Sequence, residues 1–228
     1  MKAYQLYLFD ADETLFDFRR AEGAALAIAL RSFGIACTDA ILACYHDVND
    51  ALWKQLEIGR ITRDVLKWTR FQQLADAMQL SLEPHTANER FMAALATRAD
   101  LIDGAADVCR SLAAHGKTLC IISNGTTSVQ RPRFARSGLA PCFHTLFLSE
   151  EIGVAKPDPR FFDAVFQAFP QVARSEMLVV GDSLTSDIAG GLAAGLDTCW
   201  FHPTGAPAPA EPKPTFSIRS LSELLTAL

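Results

Sequence analysis

The chain shows two kinds of hydrophobic pattern, and the change between them divides it into regions. Near the start, residues 4–9 are aromatic and apolar around Gln5, which predicts a buried strand. From about residue 18 to Arg98 the apolar positions recur at helical spacing in four successive stretches. One helix would be enough to connect two parallel strands. Four consecutive helices therefore predict an inserted helical domain at about residues 16–99.

Beyond Gly104 the pattern becomes an alternation of short apolar runs and amphipathic stretches. The apolar runs predict strands at 118–123, 145–148, 177–180 and 199–201, with a last edge strand at 216–218. The stretches between them predict helices at 105–114, 128–136, 159–169 and 185–194, and Ser220 with Glu223 predicts a capping box for a terminal helix. We therefore expect an α/β fold, with a Rossmann-like, doubly wound parallel sheet in residues 1–15 and 100–228.

Composition narrows the class of protein. The chain has 228 residues, which suits one large domain or a core with one inserted domain, and 50% of them are hydrophobic, enough for a sizeable core. The net charge of −5 disfavours a nucleic-acid partner, whose binding surface would be basic. The basic run of note is Arg131, Arg133 and Arg136, which we expect to be a solvated helix face.

Cysteine usage and hydropathy indicate the compartment. Six cysteines are scattered without a C-x-x-C pair, so we expect reduced and mostly buried thiols. No signal peptide precedes the first strand, and no apolar run approaches the length of a membrane span. The expectation is a cytoplasmic enzyme with no membrane partner.

Four polar clusters lie at predicted strand ends or in the loops after them. They are Asp10-x-Asp12-x-Thr14, Ser123-Asn124-Gly125, Lys156-Pro157-Asp158-Pro159, and Gly181-Asp182-Ser183 followed by Asp187. Taken singly, each has an ordinary structural explanation as a turn, a solvated lysine or a helix cap. Right-handed crossovers make the strands parallel, however, so their carboxyl ends share one edge of the sheet. Together the clusters predict one chemical site there.

In this order, the clusters resemble the four motifs of the haloacid dehalogenase superfamily of phosphohydrolases. Those motifs are D-x-D-x-T, an apolar strand ending in Ser, a Lys-Pro, and G-D-x-x-x-x-D, and the resemblance covers nearly all of the chain. The helical insertion directly after the first motif resembles the all-α, four-helix cap domain of type C1 in that family. The resemblance therefore implies the same α/β core and cap that the periodicity predicts.

The resemblance also implies a role for each motif residue. Asp10 would attack phosphorus and form an aspartyl phosphate. Asp12 would protonate the leaving alkoxide and then deprotonate the hydrolytic water, and Lys156 would supply a catalytic positive charge. The implied phosphate-binding residues are Thr14, Ser123, Asn124, Gly125 and Lys156. The implied metal ligands are Asp10, the backbone carbonyl of Asp12, and Asp182, with Asp187 as a further ligand or a partner of one.

Electrostatics explains why such a site needs a cation. Asp10, Asp182 and Asp187 would place up to three negative charges in one pocket, and a phosphate monoester adds about two more at neutral pH. Each like-charge contact at about 4 Å costs roughly 4 kcal/mol at an effective dielectric constant of 20. Oxygen ligands of this kind suit Mg²⁺. We expect Mg²⁺ as the cofactor, with Mn²⁺ as an alternative.

Longer stretches narrow the substrate class. The chain resembles the bacterial noncanonical pyrimidine nucleotidases, which hydrolyse pyrimidine nucleoside 5′-monophosphates such as dUMP, UMP and dTMP. The stretches concerned are Phe9-Asp-Ala-Asp-Glu-Thr-Leu-Phe16, Ser123-Asn-Gly-x-x-Ser-x-Gln130, Ser149-Glu-Glu-x-Gly-Val-Ala-Lys-Pro157 and Cys199-Trp200. One departure is Glu13, often Asp in that group, whose side chain should point away from the site. Another is Thr126-Thr127, where an aromatic often stands first, which leaves base selectivity open.

The inserted domain should select the leaving group, because the four motifs are shared by phosphatases of the class. Phe16, Trp53 and Trp68 are candidates to stack on a base, although aromatics at helical spacing are also typical of a domain core. Other readings of the same motifs are a phosphoglycolate or sugar-phosphate phosphatase and a β-phosphoglucomutase-like phosphotransferase. A dehalogenase lacks the second aspartate, here Asp12. The expected partner is a small-molecule phosphate monoester, and the protein would act as a monomer or weak homodimer.

Overall fold

The computed structural model describes residues 4–205, 207 and 210–225. The chain divides into two compact units, one formed by Met1–Phe18 with Ala99–Leu228 and the other by Arg19–Arg98. The first is an α/β unit and the second is helical. This is the predicted α/β fold with a four-helix insert.

Within the described residues, six parallel strands form one sheet. The strands are β1 (Leu6–Phe9), β2 (Thr118–Ser123), β3 (Thr145–Leu148), β4 (Met177–Gly181), β5 (Asp197–Phe201) and β6 (Phe216–Ile218). Their spatial order is β3-β2-β1-β4-β5-β6. This order confirms the doubly wound sheet, and it reverses between β1 and β4. Sheets of this kind bind ligands beyond the carboxyl ends of the strands at such a reversal.

The α-helices follow the predicted sequence of elements, except that a short helix after β3 was not predicted and the expected terminal helix is a 3₁₀ turn. They are α1 (Phe18–Arg31), α2 (Asp39–Glu57), α3 (Arg63–Met78), α4 (Pro84–Leu95), α5 (Ala105–Ala114), α6 (Thr127–Arg136), α7 (Ser149–Ile152), α8 (Asp163–Ala168) and α9 (Ala189–Ala193). Short 3₁₀ turns lie at Ala140–Cys142, Pro159–Phe162, Arg174–Glu176 and Leu221–Leu225. Thr38 and Thr62 accept hydrogen bonds from backbone N–H groups in the first turns of α2 and α3, as their capping residues should.

The sheet is buried on both faces. Along β1, Tyr7 and Phe9 join one hydrophobic cluster, and Leu6 and Leu8 join the other. Helix α5 closes the first cluster, and α8 closes the second. Because consecutive strand residues point to opposite faces, this two-sided burial explains why β1 is apolar at every position.

Three helical segments differ in detail from the prediction. The helix expected at 159–169 divides into a 3₁₀ turn and α8. A proline is tolerated in the first turn of a helix, where we expect Pro132 of the helix predicted at 128–136, but Pro132 lies inside α6. The helix expected at 185–194 opens as a π-helical turn at Leu184–Ile188 before α9 begins. In that turn the backbone N–H of Ile188 donates to the Ser183 carbonyl, which widens the turn.

The glycines of α9 permit close packing. A Cβ atom at Gly191 would lie 2.7 Å from the Thr198 side chain, and one at Gly190 would lie 3.0 Å from the backbone of Pro157. The proline-rich stretch 203–214 has the composition of an extended surface loop, and its residues 206, 208 and 209 lie outside the described residues. No described helix is long and apolar enough to cross a membrane.

Candidate active site

Asp10 lies at the point where the strand order reverses. It follows β1 directly, and its backbone N–H donates to the carbonyl of Val180 in β4 at 2.8 Å. This bond extends the sheet by one residue and fixes the Asp10 side chain at the carboxyl edge. The side chain is buried, with 12% of its surface exposed.

The Lys156 ammonium lies in the centre of the polar cluster, with 1% of its side chain exposed. It donates to Asp10 Oδ1 at 2.6 Å, to Asp187 Oδ1 at 2.6 Å and to the Ile122 carbonyl at 2.7 Å. These three acceptors match the three N–H groups that an ammonium carries. The Asn124 amide holds the Lys156 backbone on both sides, accepting from its N–H at 2.9 Å and donating to its carbonyl at 2.8 Å.

Three carboxylates converge beside this ammonium. Oxygen atoms of Asp10, Asp182 and Asp187 all lie within 4.8 Å of one another. Thr14 Oγ1 donates to Asp182 Oδ1 at 3.3 Å, and the Trp200 indole N–H donates to the Asp182 carbonyl at 2.8 Å. The triad is therefore held by residues from β1, β4 and β5 and the loops that follow them.

Asp187 reaches the triad because of two local features. The π-helical turn carries it inward, and its Oδ2 accepts from the Ser183 N–H at 3.1 Å. Its carboxylate also occupies the space that a side chain at Gly181 would need. Glycine at the end of β4 is thus required by close approach of the carboxylate rather than by backbone conformation.

The cluster carries unbalanced negative charge. With all four groups ionised, three carboxylates and one ammonium leave two net negative charges, and Asp10, Lys156 and Asp187 among them are buried. Burial raises the pKa of Asp10 to about 7 against the opposing charge of Lys156. Burial, with the charges of Asp10 and Asp187, likewise raises the pKa of Asp182 well above its ordinary value. Burial alone would lower the pKa of Lys156, but the carboxylates of Asp10 and Asp187 raise it.

This donor set fits a divalent cation that prefers oxygen ligands. Such an ion would offset the two excess charges and favour the ionised forms of Asp10 and Asp182, whose pKa values are raised first by burial and then by neighbouring carboxylates. Mg²⁺ binds through one or two carboxylates and keeps waters or phosphate oxygens in its other positions. Asp10 and Asp182, with Asp187 beside them, supply ligands of this type.

Asp12 has different surroundings from the triad. Its Oδ1 accepts from the Arg133 guanidinium at 2.6 Å, and its Oδ2 accepts from the Gln130 amide at 2.5 Å. The prediction that Arg133 belongs to a solvated helix face is wrong, because its side chain has 0% exposure. Arg131 does lie on the surface, where it pairs with Glu151.

Ser123 and Gly125 form the turn after β2. The Gly125 N–H donates to Ser123 Oγ at 3.0 Å, and Gln130 Nε2 donates to the same hydroxyl at 3.2 Å. Helix α6 begins two residues later, at Thr127. The turn therefore gathers a hydroxyl and backbone N–H groups close to the triad, the types of donor that bind phosphoryl oxygens.

Comparison with known proteins decides the family. The profile of the haloacid dehalogenase-like hydrolases matches residues 4–195. The chain is a haloacid dehalogenase-like hydrolase. The resemblance seen in its four motifs is thereby confirmed.

Relatives of this hydrolase match over almost their whole length. YfnB of Bacillus subtilis is 39% identical to this chain. The match covers 98% of this chain and 95% of YfnB. The pyrimidine 5′-nucleotidases PynA of Streptococcus pneumoniae and YjjG of Escherichia coli are 36% and 37% identical. The match with PynA covers 99% of this chain and 95% of PynA. The match with YjjG covers 95% of this chain and 94% of YjjG.

A crystal structure of YfnB bound to magnesium, which reveals interdomain movement in that protein, has the same fold. It matches with a TM-score of 0.94 at 38% sequence identity. The match covers 100% of this chain and 99% of the YfnB chain. The haloacid dehalogenase-like core and its helical insert are therefore shared from end to end.

Three aromatic candidates for base stacking lie in different surroundings in this hydrolase. Phe16 is 1% exposed, and the Arg133 guanidinium lies 4.8 Å from its ring centroid. Trp68 is 37% exposed and stacks on His85, with ring centroids 5.7 Å apart. Trp53 is partly buried, 5.9 Å from the Arg63 guanidinium. The two tryptophans thus lie outside the fully buried core of the helical unit.

Several residues of the site escaped sequence reasoning. Gln130 and Arg133 are three apart on α6 and so share a helix face, which was the available signal for their joint action. Trp200 was noticed within Cys199-Trp200 but without its bond to Asp182. Glu13, expected to point away, has a left-handed backbone with φ of 60° and lies close enough for its charge to act on Asp182.

Proposed function

We propose that this protein is a Mg²⁺-dependent phosphomonoester hydrolase that acts through an aspartyl phosphate on pyrimidine nucleoside 5′-monophosphates. The chain is a haloacid dehalogenase-like phosphatase with a metal-binding triad of Asp10, Asp182 and Asp187. The observation that carries the proposed mechanism is the presence of Asp12 two residues beyond a buried Asp10, with both of its oxygens held by donors.

In this mechanism Asp10 attacks phosphorus, the ester P–O bond breaks and an aspartyl phosphate forms. Asp12 gives its proton to the leaving oxygen, and then accepts a proton from the water that hydrolyses the acyl phosphate. Ser123 and the N–H groups of the turn after β2 bind the phosphoryl oxygens, whose charge must be stabilised in the transition state. Lys156 fixes Asp10 and adds positive charge beside it.

Asp10, Asp182 and the backbone carbonyl of Asp12 would hold Mg²⁺, with Asp187 as a ligand or a partner of one. When bound, the ion supplies positive charge that lets a phosphate dianion enter a site already holding excess negative charge. The fit rests on the charge imbalance of the triad, and a magnesium-bound relative supports it.

The substrate class is supported by two full-length relatives named as pyrimidine 5′-nucleotidases, together with the four longer stretches found in the sequence. Base contacts are assigned to the helical insert, because the motif residues bind only the part that all phosphate monoesters share. A dehalogenase displaces halide from carbon and needs no acid at the position of Asp12. That residue therefore favours phosphate esters.

A phosphate-release screen with Mg²⁺ tests the proposal. The panel contains dUMP, UMP, dTMP, dAMP, glucose 6-phosphate, phosphoglycolate and β-glucose 1-phosphate. We expect the highest kcat/KM with the pyrimidine nucleotides. Preference for phosphoglycolate or a sugar phosphate would replace the nucleotidase by that phosphatase. Turnover of β-glucose 1-phosphate to the 6-phosphate, dependent on a bisphosphate, would indicate the phosphotransferase.

A further inference from the structure

Arg133 is a charged side chain with no exposed surface, on a helix whose other arginines lie at the surface. Removing a guanidinium from water is costly unless the protein supplies an opposite charge and hydrogen bonds. Asp12 supplies the charge, with Arg133 Nη1 to Asp12 Oδ1 at 2.6 Å. The Asp12 side chain itself is 26% exposed. The buried partner of this ion pair is therefore the arginine, which is the arrangement expected if the arginine serves the carboxylate.

We propose that Arg133 and Gln130 are positioning residues that hold the Asp12 carboxylate in the orientation it needs for proton transfer to and from the substrate oxygen. The inference rests on the proposed function, in which Asp12 is the general acid and base. What it adds is a role for two side chains of α6, to which the sequence analysis assigned none.

The two donors fix both ends of the carboxylate. Gln130 Nε2 donates to Asp12 Oδ2 at 2.5 Å, while Arg133 binds Oδ1. Arg133 Nη1 also donates to Gln130 Oε1 at 3.3 Å, so the Gln130 amide is oriented with its NH₂ group toward Asp12. Because both of its oxygens are held, the Asp12 side chain is already fixed before the reaction. The entropy cost of ordering it is therefore not added to the activation barrier.

The same amide connects Asp12 to the phosphate-binding turn. Gln130 Nε2 lies 3.2 Å from Ser123 Oγ as well as 2.5 Å from Asp12 Oδ2. A Cβ atom at Gly125 would lie 2.8 Å from Gln130 Cγ and 2.9 Å from its Cδ. Glycine at this position therefore makes room for the amide to reach both groups.

Aromatic rings hold the guanidinium from another side. Its central carbon lies 4.8 Å from the ring centroid of Phe16 and 5.8 Å from that of Phe18. Both rings can attract the cation through their faces. Arg133 is thus fixed by aromatic contacts, by Gln130 and by Asp12. Because its guanidinium cannot move freely, it holds the Asp12 carboxylate in one orientation.

Leaving-group chemistry separates positioning of Asp12 from a general structural effect. Deoxyuridine leaves dUMP as an alkoxide that needs a proton, whereas p-nitrophenolate leaves p-nitrophenyl phosphate readily without one. The full-length Arg133→Met, Arg133→Lys and Gln130→Met variants are compared with wild type and with Arg131→Met, a surface arginine of the same helix. Single-turnover rates with enzyme in excess isolate the step in which the aspartyl phosphate forms, and thermal melting confirms that each variant is folded.

General acid catalysis contributes on the order of 10²–10⁴-fold, and misplacing the acid should forfeit part of this. We expect Arg133→Met to lower the dUMP rate by roughly 10- to 100-fold, with the p-nitrophenyl phosphate rate within about 3-fold of wild type. Arg133→Lys should recover part of the loss, Gln130→Met should show the same selective pattern, and Arg131→Met should match wild type.

Equal losses on both substrates, an unchanged dUMP rate, or a change confined to KM would each overturn the inference. If wild type prefers another alkyl phosphate, the nucleotidase assignment fails, and the same comparison with that ester still decides the role of Arg133. If wild type releases no alcohol from any alkyl phosphate, the proposed function fails and this inference fails with it.

Discussion

The two compact units each bury a cluster of charged side chains, and the clusters differ in their balance of charge. In the α/β unit, three carboxylates surround the single ammonium of Lys156. In the helical unit, the side chains of Glu22, Asn49 and Arg70 are buried together, with 2%, 2% and 3% exposure. There one negative and one positive charge are joined through a neutral amide.

The side chains of the helical cluster are hydrogen-bonded to one another. Asn49 donates to Glu22 at 2.8 Å and accepts from Arg70 at 3.4 Å, and Arg70 also donates to Asn88 at 2.7 Å. The Arg70 guanidinium lies 4.6 Å from the centroid of the Phe91 ring. These contacts tie together α1, α2, α3 and α4, so the cluster fixes how the four helices pack.

The difference between the clusters distinguishes a site from a packing element. A balanced, hydrogen-bonded cluster needs nothing further to be buried. A cluster with excess charge of one sign destabilises the unliganded protein, and a bound cation offsets that cost. Substitutions in the two clusters should therefore have opposite consequences, and three predictions test this.

The largest expected effect follows Asp10→Asn. Turnover of dUMP should fall by on the order of 10⁴-fold or more, because an amide cannot form the acyl phosphate. The metal-free variant should be at least as stable as wild type, since one of three mutually repelling carboxylates is gone and the pair of Lys156 with Asp187 remains. Phosphate release and urea unfolding measure the two effects.

Asp163→Asn, at an exposed position in the first turn of α8, is the matched control and should keep its activity. A folded Asp10→Asn protein with near wild-type turnover would show that the nucleophile lies elsewhere.

The second-largest effect concerns the helical cluster of Glu22, Asn49 and Arg70. Arg70→Met removes the buried guanidinium and leaves Glu22 with the Asn49 amide and the His46 imidazole. Losing one partner of a buried pair costs roughly 3–5 kcal/mol. Arg19→Met removes an exposed partner of Asp50 on the same unit, and should cost less than about 1 kcal/mol. Urea unfolding, with hydrogen exchange of residues 19–98, measures both. Equal losses would remove the distinction between the two arginines.

Mg²⁺ should act on the unbalanced cluster alone. Binding to the folded protein stabilises it by about 2.7 kcal/mol when the free ion is at 100 times its Kd. We expect Mg²⁺ to raise the thermal midpoint of wild type after EDTA treatment, and to raise that of Asp182→Asn much less. Arg70→Met should keep the full increase. Full turnover after exhaustive EDTA treatment would contradict the metal assignment, and Ca²⁺ should support turnover poorly because it tolerates looser geometry.

The contrast between clusters also shows what sequence can predict. Asp10, Lys156 and Asp182 were predicted to meet because parallel strands place their carboxyl ends on one edge, which is a property of the topology. The burial of Arg133 was missed because the pattern R-x-R-x-x-R does not show which of its arginines is buried. Only the tertiary contact with Asp12 decides between them.

The helical cluster was missed for a related reason. Glu22, Asn49 and Arg70 stand at polar positions of three separate helices, and nothing in the local pattern pairs them. The π-helical turn at Leu184–Ile188 escaped because one widened turn does not alter the apolar spacing on which helices are predicted. In each case the missing information is which helix face meets which neighbour.

The smallest predicted effect concerns the two tryptophans of the helical unit. Trp68 lies two residues before the buried Arg70, but 37% of its own surface is exposed. Trp53 is partly exposed as well. We propose that one of these rings stacks on the pyrimidine. Its removal in Trp53→Ala or Trp68→Ala should then cost roughly 1–3 kcal/mol in kcat/KM for dUMP, by analogy with base stacking on aromatic side chains.

Substrates without a base separate stacking from packing. Glucose 6-phosphate and p-nitrophenyl phosphate should be hydrolysed by the stacking variant nearly as well as by wild type. Ile58→Ala, which truncates an exposed apolar side chain of the same unit, should change none of the rates. If both tryptophan variants lose activity on all substrates equally, the rings stabilise the helical unit as the buried cluster does. Substrate selection then depends on other residues of the insert.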